Sequence, residues 1–330
     1  MRPFLALLAA LSMASFVDAA AAAEGAGATF PAPLYARWAA AWAHEAGGGE
    51  IRYQPVGSTA GIERISRGEA DFGASDIPLA PEELQRRGLV QFPVVIGGVV
   101  PVIHVDGIGP AELKLDGKLL AAIYLGRVRK WNDPAIAALN PGLSLPSSRI
   151  TIVRRADGSG TTRLWREFLA LSDPAARDEA AWQAGVAAAG NEGVAATVQR
   201  TRMAIGYVES SYAMQHRLNM ATLRNHDGHA AVPSRPAFEA ATAGLDWAAL
   251  PSEQPPLLDR PGAQTWPIVG ASFILLPAQA TPRTRQVLAF FGWALHHGQG
   301  LAMQQDYVPL PPEAVDGVEA LWRERYGDGR

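Results

Sequence analysis

Arg154-Arg155-Ala156-Asp157-Gly158-Ser159-Gly160-Thr161-Thr162 follows a short β-branched run, Ile150-Thr151-Ile152-Val153, and precedes Leu164-Trp165-Arg166-Glu167-Phe168-Leu169, whose pattern is helical. The stretch reads as strand, turn and helix start. It gathers glycines, hydroxyls, two arginines and a carboxylate. Glycine lets backbone N–H groups come close to a ligand. A helix N-terminus offers unpaired N–H donors and the positive end of its dipole. An arginine's planar fork matches a tetrahedral oxyanion. The turn therefore suits a small anion. It suits an ordinary capped turn equally well, because Ser and Thr are common helix caps.

Working outward, the same rhythm recurs. Ile51-Arg52-Tyr53-Gln54-Pro55 is a short strand, followed by the turn Gly57-Ser58-Thr59-Ala60-Gly61 and a helix over Ile62 to Ser66. Asp71-Phe72-Gly73-Ala74-Ser75-Asp76 reads as a strand with Asp76 at its end, and Pro81-Glu82-Glu83-Leu84 opens another helix. Upstream, Gly25 to Pro33 reads as a glycine turn entering a helix with Leu34, Trp38, Ala41 and Trp42 at helical spacing. Strand–helix alternation of this kind predicts α/β domains with mainly parallel sheets. Ligands in such sheets sit beyond the carboxyl ends of strands, where Ser58, Asp76 and Ser159 all fall.

Phe92 to Val105 and Trp266 to Leu276 are long, apolar and too interrupted by Gly and Pro for helices. Two such strands, far apart in sequence, are expected to cross between two lobes. Helices are predicted near 119–125, from Asp133-Pro134, and over 191–199, 210–217, 283–296 and 312–326. Strands are predicted over 150–153 and 204–208. The Pro-, Gly- and His-rich segment 219–265 gives no assignable order.

The chain has 330 residues, a length that suggests about two domains. A net charge of −3 gives no support to nucleic-acid binding. Arg2, the apolar run Phe4 to Phe16 and the small residues Ala19 to Ala23 read as a secretory signal peptide over 1–23, with cleavage expected at Ala23/Glu24. No later run holds 18 uninterrupted apolar residues. There is no cysteine, which excludes disulfides, a lipid-anchored cysteine, thiolate metal sites and Cys nucleophiles. A freely soluble periplasmic or secreted protein is expected.

Three separated turns share one logic: Ala28-Thr29-Phe30-Pro31, Gly57-Ser58-Thr59-Ala60-Gly61 and Asp157-Gly158-Ser159-Gly160-Thr161-Thr162. Together with Asp71 to Pro78, Gln91 to Val100, Tyr124 to Trp131, Ala204 to Glu209 and Trp266-Pro267-Ile268, they resemble the periplasmic phosphate-binding proteins of phosphate-specific ABC transporters. The resemblance is collinear over nearly the whole mature chain. It implies a type II periplasmic binding-protein fold, with lobe I over 24–100 plus 273–330 and lobe II over 101–272, closing on one phosphate. It further implies phosphate contacts from Thr29, Phe30, Ser58, Asp76, Arg155, Ser159, Gly160 and Thr161. Asp157 would hold Arg155. The implied partners are an inner-membrane permease with its cytoplasmic ATPase, and a monomer without cofactor or metal is expected. Thr59-Ala60 departs from the Ser-Gly usual in that family, a change that keeps the backbone donors.

Asp76 is the selective element in this reading. A carboxylate beside an anion is repulsive unless the ligand brings a proton. Phosphate carries a P–OH at neutral pH; sulfate does not. Alone, Asp76 and Thr29 would read as helix caps. The rival class is an enzyme: Gly73-Ala74-Ser75-Asp76-Ile77 approaches a nucleophile elbow but lacks its second glycine. A scavenging or adhesion protein on the same fold is the other alternative. His296-His297 and Asn225-His226-Asp227-Gly228-His229 lack a recognisable metal-ligand spacing.

Overall fold

The computed structural model describes residues 22–247 and 257–327. The expected signal segment lies outside them apart from its last two residues. The first element overturns the expected glycine turn, because β1 (Ala23–Gly27) is a buried strand. The glycines serve close packing there. A Cβ on Gly25 would stand 2.0 Å from Phe72 Cζ, and one on Gly61 would stand 2.4 Å from Gly27 Cα. α1 (Ala32–Glu45) follows with Leu34, Tyr35 and Trp38 buried, then β2 (Ile51–Pro55). α2 (Ser58–Ser66) begins four residues earlier than the apolar pattern suggests, because Gly57, at φ 95°, turns the chain sharply out of β2. β3 (Phe72–Ser75), α3 (Pro81–Arg87) and the long β4 (Leu89–His104) complete the first half.

The second half opens with β5 (Lys114–Leu115), α4 (Gly117–Tyr124) and α5 (Pro134–Leu139). β6 (Thr151–Arg155) and α6 (Gly160–Ser172) flank the glycine- and hydroxyl-rich turn at Ala156 to Ser159. β7 (Val186–Ala188), α7 (Gly190–Arg200), β8 (Ala204–Glu209) and α8 (Ser210–Gln215) follow. The segment without assignable order holds β9 (Asn219–Met220), β10 (Thr222–Arg224), β11 (Ala230–Ala231) and α9 (Arg235–Ala240). The chain closes with β12 (Val269–Pro277), α10 (Thr284–His297), α11 (Gln299–Met303), β13 (Val308–Pro309) and α12 (Pro312–Tyr326).

The main sheet runs β2-β1-β3-β12-β4-β8-β6-β7. Its two flanks are parallel: β1 pairs with β2 and β3, and β6 pairs with β7 and β8. Its centre is antiparallel, because β12 pairs with both β3 and β4, and β4 pairs with β8. The two long apolar runs are thus neighbours. β4 lies against β12 over Leu89 to Gly98 and against β8 over Val99 to His104, so one strand serves both halves. A register shift in β12 falls between Ser272 and Phe273. Each half has its own aromatic cluster. Tyr35, Tyr53, Phe72 and Phe291 pack in the first, and Tyr124, Trp165, Trp182 and Tyr207 in the second. Trp165 stacks on Tyr207 with ring centroids 4.9 Å apart and fixes α6 against β8, which sets where the helix start points.

No helix of the described residues is long and apolar enough to cross a membrane. His296 pairs with Glu319 and His226 with Asp259, both partly exposed, and the described residues hold no cluster of three potential metal ligands.

Candidate anion-binding site

The site forms where four strand-to-helix junctions meet. Thr29 and Phe30 lie between β1 and α1, and Ser58 is the first residue of α2. Asp76 follows β3, Arg155 ends β6, and Ser159 caps α6 ahead of Gly160 and Thr161. All of these residues are buried.

The two halves touch at these junctions. Thr59 N–H donates to Gly158 O at 3.1 Å, and Gly160 N–H donates to Ser58 Oγ at 3.3 Å. Asp76 N–H donates to the same Ser58 Oγ at 3.3 Å. With two N–H groups on its lone pairs, the Ser58 hydroxyl keeps its own proton for a further acceptor. The approach is close enough to need glycine: a Cβ on Gly160 would stand 2.5 Å from Asp76 Cβ and 2.9 Å from Ser58 Oγ.

Arg155 supplies the positive charge. Its Nε donates to Asp157 Oδ1 at 2.8 Å and its Nη2 donates to Asp157 Oδ2. Asp157 Oδ1 also accepts Gly190 N–H at 2.9 Å. Burial alone would raise the Asp157 carboxyl, but Arg155 and the Gly190 N–H hold it below its ordinary value. Arg155 Nη1 is buried and has no protein partner, on a side chain that is only 1% exposed. A buried guanidinium nitrogen without an acceptor is costly unless an anion supplies one.

Asp76 is the contrasting group. It is 4% exposed, and Oδ1 accepts from Ser272 Oγ at 2.8 Å. Burial lifts its pKa to about 7, against the lowering effects of Ser272, Arg155 and Ser58. It therefore changes charge near neutrality. A cavity of about 280 Å³ opens beside Asp76, lined also by Arg163, Leu164, Glu167 and Val269. That lining mixes charges of both signs with apolar side chains and offers an anion no convergent donors.

Ser159 Oγ caps α6 by accepting Thr162 N–H at 3.0 Å. The Thr29 hydroxyl accepts from Asn191 Nδ2 at 2.9 Å, and the same amide reaches Thr161 Oγ1 at 3.3 Å.

A family model described as a PBP superfamily domain matches residues 15–296. The phosphate-binding protein PstS of Haemophilus influenzae is 43% identical over 307 residues, covering 91% of this chain and 92% of that protein. PstS of Xylella fastidiosa is 42% identical, covering 92% and 85%. This chain belongs to the PstS family. The fold agrees: a phosphate-bound DING-type periplasmic phosphate-binding protein superposes with a TM-score of 0.73 at 20% identity, covering 91% of this chain and 93% of that one.

In this PstS-family chain several supporting residues escape sequence reading. Ser272 holds Asp76, Asn191 bridges Thr29 and Thr161, Tyr212 donates to Thr29 O at 2.6 Å, and Tyr307 donates to Phe30 O at 2.7 Å. Ser272 had a signal: it is the one hydroxyl inside an otherwise apolar buried strand. Asn191 stands one residue after a glycine at a helix start, a weaker cue.

Glu209 lies under this layer with no exposure. Burial lifts its pKa to about 8, against hydrogen bonds from Ser211, Tyr307 and Ser210. The Tyr307 hydroxyl lies 2.7 Å from Phe30 O, 2.9 Å from Glu209 Oε2 and 3.0 Å from Ser211 Oγ, which ties Glu209 into the layer beneath the site. Because the folded-state pKa is raised, the stability that Glu209 confers is complete below its unfolded value of about 4.3 and is lost as pH rises through about 8. The thermal midpoint of the phosphate-free protein should therefore fall less between pH 5 and pH 9 in Glu209→Gln than in wild type. Parallel pH profiles from differential scanning calorimetry would contradict this account.

Proposed function

We propose that this chain binds inorganic phosphate in the cleft between its two lobes and delivers it to an ABC-transporter permease for import. The observation that carries the reading is the donor set around one acceptor. Arg155 Nη1 is buried without a protein partner, the Ser58 hydroxyl has its lone pairs filled by N–H groups, and the buried Asp76 carboxyl stands beside them. A ligand that fits has several acceptor oxygens and one proton. The PstS relatives are phosphate-binding proteins.

In this reading Thr29, Phe30 and Ser58 give hydrogen bonds from lobe I, and Arg155, Ser159, Gly160 and Thr161 give them from lobe II. Asp76 takes the ligand's proton, and Asp157 holds Arg155. Lobe I spans 24–100 and 273–330, and lobe II spans 101–272. Hydrogen bonds to charged groups contribute about 1.5–3 kcal/mol each, so a few exceed the roughly 8 kcal/mol of micromolar binding. The surplus offsets desolvation and closure. The chain acts as a binder rather than an enzyme. The Ser58 and Thr29 hydroxyl oxygens are each occupied by two N–H donors, which leaves them poor nucleophiles. It works as a monomer in the periplasm, where the permease and its cytoplasmic ATPase draw on it.

Isothermal calorimetry on ligand-stripped protein tests this. Phosphate and arsenate should release heat and saturate at one site, while sulfate and molybdate give none at pH 8. Absence of heat with phosphate would overturn the reading.

A further inference from the structure

A threonine hydroxyl is donor and acceptor at once, and an anion can use only the donor side. Something must therefore decide which way the Thr29 and Thr161 protons face. Asn191 is fully buried, and its Oδ1 accepts Glu209 N–H at 3.1 Å. A backbone N–H can only donate, so this contact fixes the amide: oxygen toward Glu209, nitrogen toward the cleft. Nδ2 then points at Thr29 Oγ1, 2.9 Å away, and at Thr161 Oγ1, 3.3 Å away. The Asn191 backbone N–H adds a bond to Thr29 Oγ1 at 3.2 Å. The Thr29 oxygen is filled by two donors, and its proton has to seek an acceptor elsewhere.

Resting on the phosphate-binding reading, we infer that Asn191 is a positioning residue that locks the hydroxyls of Thr29 and Thr161 as donors to the anion, one from each side of the cleft. The consequence is selective as well as attractive. Ser58 is locked in the same sense by Asp76 N–H and Gly160 N–H. With the Thr29 and Ser58 oxygens each filled by two donors, a proton on the ligand is directed to Asp76. Asn191 thus orients the ligand's proton without touching it.

The test is a double-mutant cycle on ligand-stripped protein, titrated with inorganic phosphate. Asn191→Ala and Thr29→Val should each raise Kd about tenfold, and the double variant should fall well short of the hundredfold product. Multiplying effects, or an unchanged Kd in folded Asn191→Ala, would overturn the assignment. If Asn191→Ala does not fold, Asn191→Asp decides instead. It keeps an acceptor for Glu209 N–H but replaces Nδ2 with an acceptor that draws both hydroxyl protons away. Its Kd should rise by about a hundredfold or more, and by less when Thr29→Val is already present. A wild-type Kd in Asn191→Asp would overturn the assignment. Wild-type protein that gives no heat with phosphate would instead sink the binding reading itself, so the two failures are distinct.

Discussion

Asp76→Asn admits sulfate, narrowing the phosphate-to-sulfate affinity ratio by about one to two orders of magnitude. In wild type, sulfate sets an acceptor oxygen against a buried carboxylate, and nothing in between carries a proton. An unpaired buried acceptor costs about 1–3 kcal/mol, and more when charged. Asparagine turns that clash into a hydrogen bond from its amide. The same logic predicts a pH signature in wild type. Burial places the Asp76 pKa at about 7, so acidification supplies the missing proton. Sulfate affinity should rise as pH falls from 8.5 to 5.5 in wild type and stay flatter in Asp76→Asn. Competition titrations at both values measure this. An unchanged ratio in the variant would mean that discrimination resides elsewhere.

Gly160→Ala should weaken phosphate binding by about a hundredfold or more while leaving the fold intact. The added methyl would stand 2.5 Å from Asp76 Cβ and 2.9 Å from Ser58 Oγ, so the two jaws cannot meet as they do. Backing them apart loses the Gly160 N–H bond to Ser58 and lengthens every bond to the anion. Alanine at the first position of α6 is otherwise a favourable helix residue. The phosphate-free thermal midpoint should fall modestly with the lost hydrogen bond, while the upward shift that phosphate induces largely disappears. A variant with wild-type Kd would show that the jaws do not close to this distance.

How much of this was legible in the sequence follows from which forces are local. The strand–turn–helix at Arg154 to Thr162 is written in adjacent residues, and β6 and α6 form where the pattern places them. The antiparallel centre is not local. β4 and β12 are about 170 residues apart, and only their shared apolar length hints that they pair. β1 reads as a turn because its glycines look like freedom, whereas they serve contact with Phe72 and α2. The described part of 219–265 holds strands of two or three residues and one six-residue helix, too short for any periodicity, and 248–256 lie outside the described residues. Within the site, the groups proposed to touch the anion lie in recognisable turns. Those holding them, Ser272, Asn191, Tyr212 and Tyr307, sit on other elements and look like ordinary core or surface residues until the chain is folded.

The Arg155–Asp157 pair has a consequence for how an anion is captured in brine. Arginine and aspartate cancel, and Asp76 adds negative charge when ionised, so the site's side chains sum to zero or below within a chain of net charge −3. These three side chains supply no net long-range attraction. The pull comes from N–H dipoles and hydroxyls that act over a few ångströms, inside the roughly 8 Å at which physiological salt screens. Mobile ions therefore have little field to quench, and capture should proceed almost alike in dilute and salty surroundings.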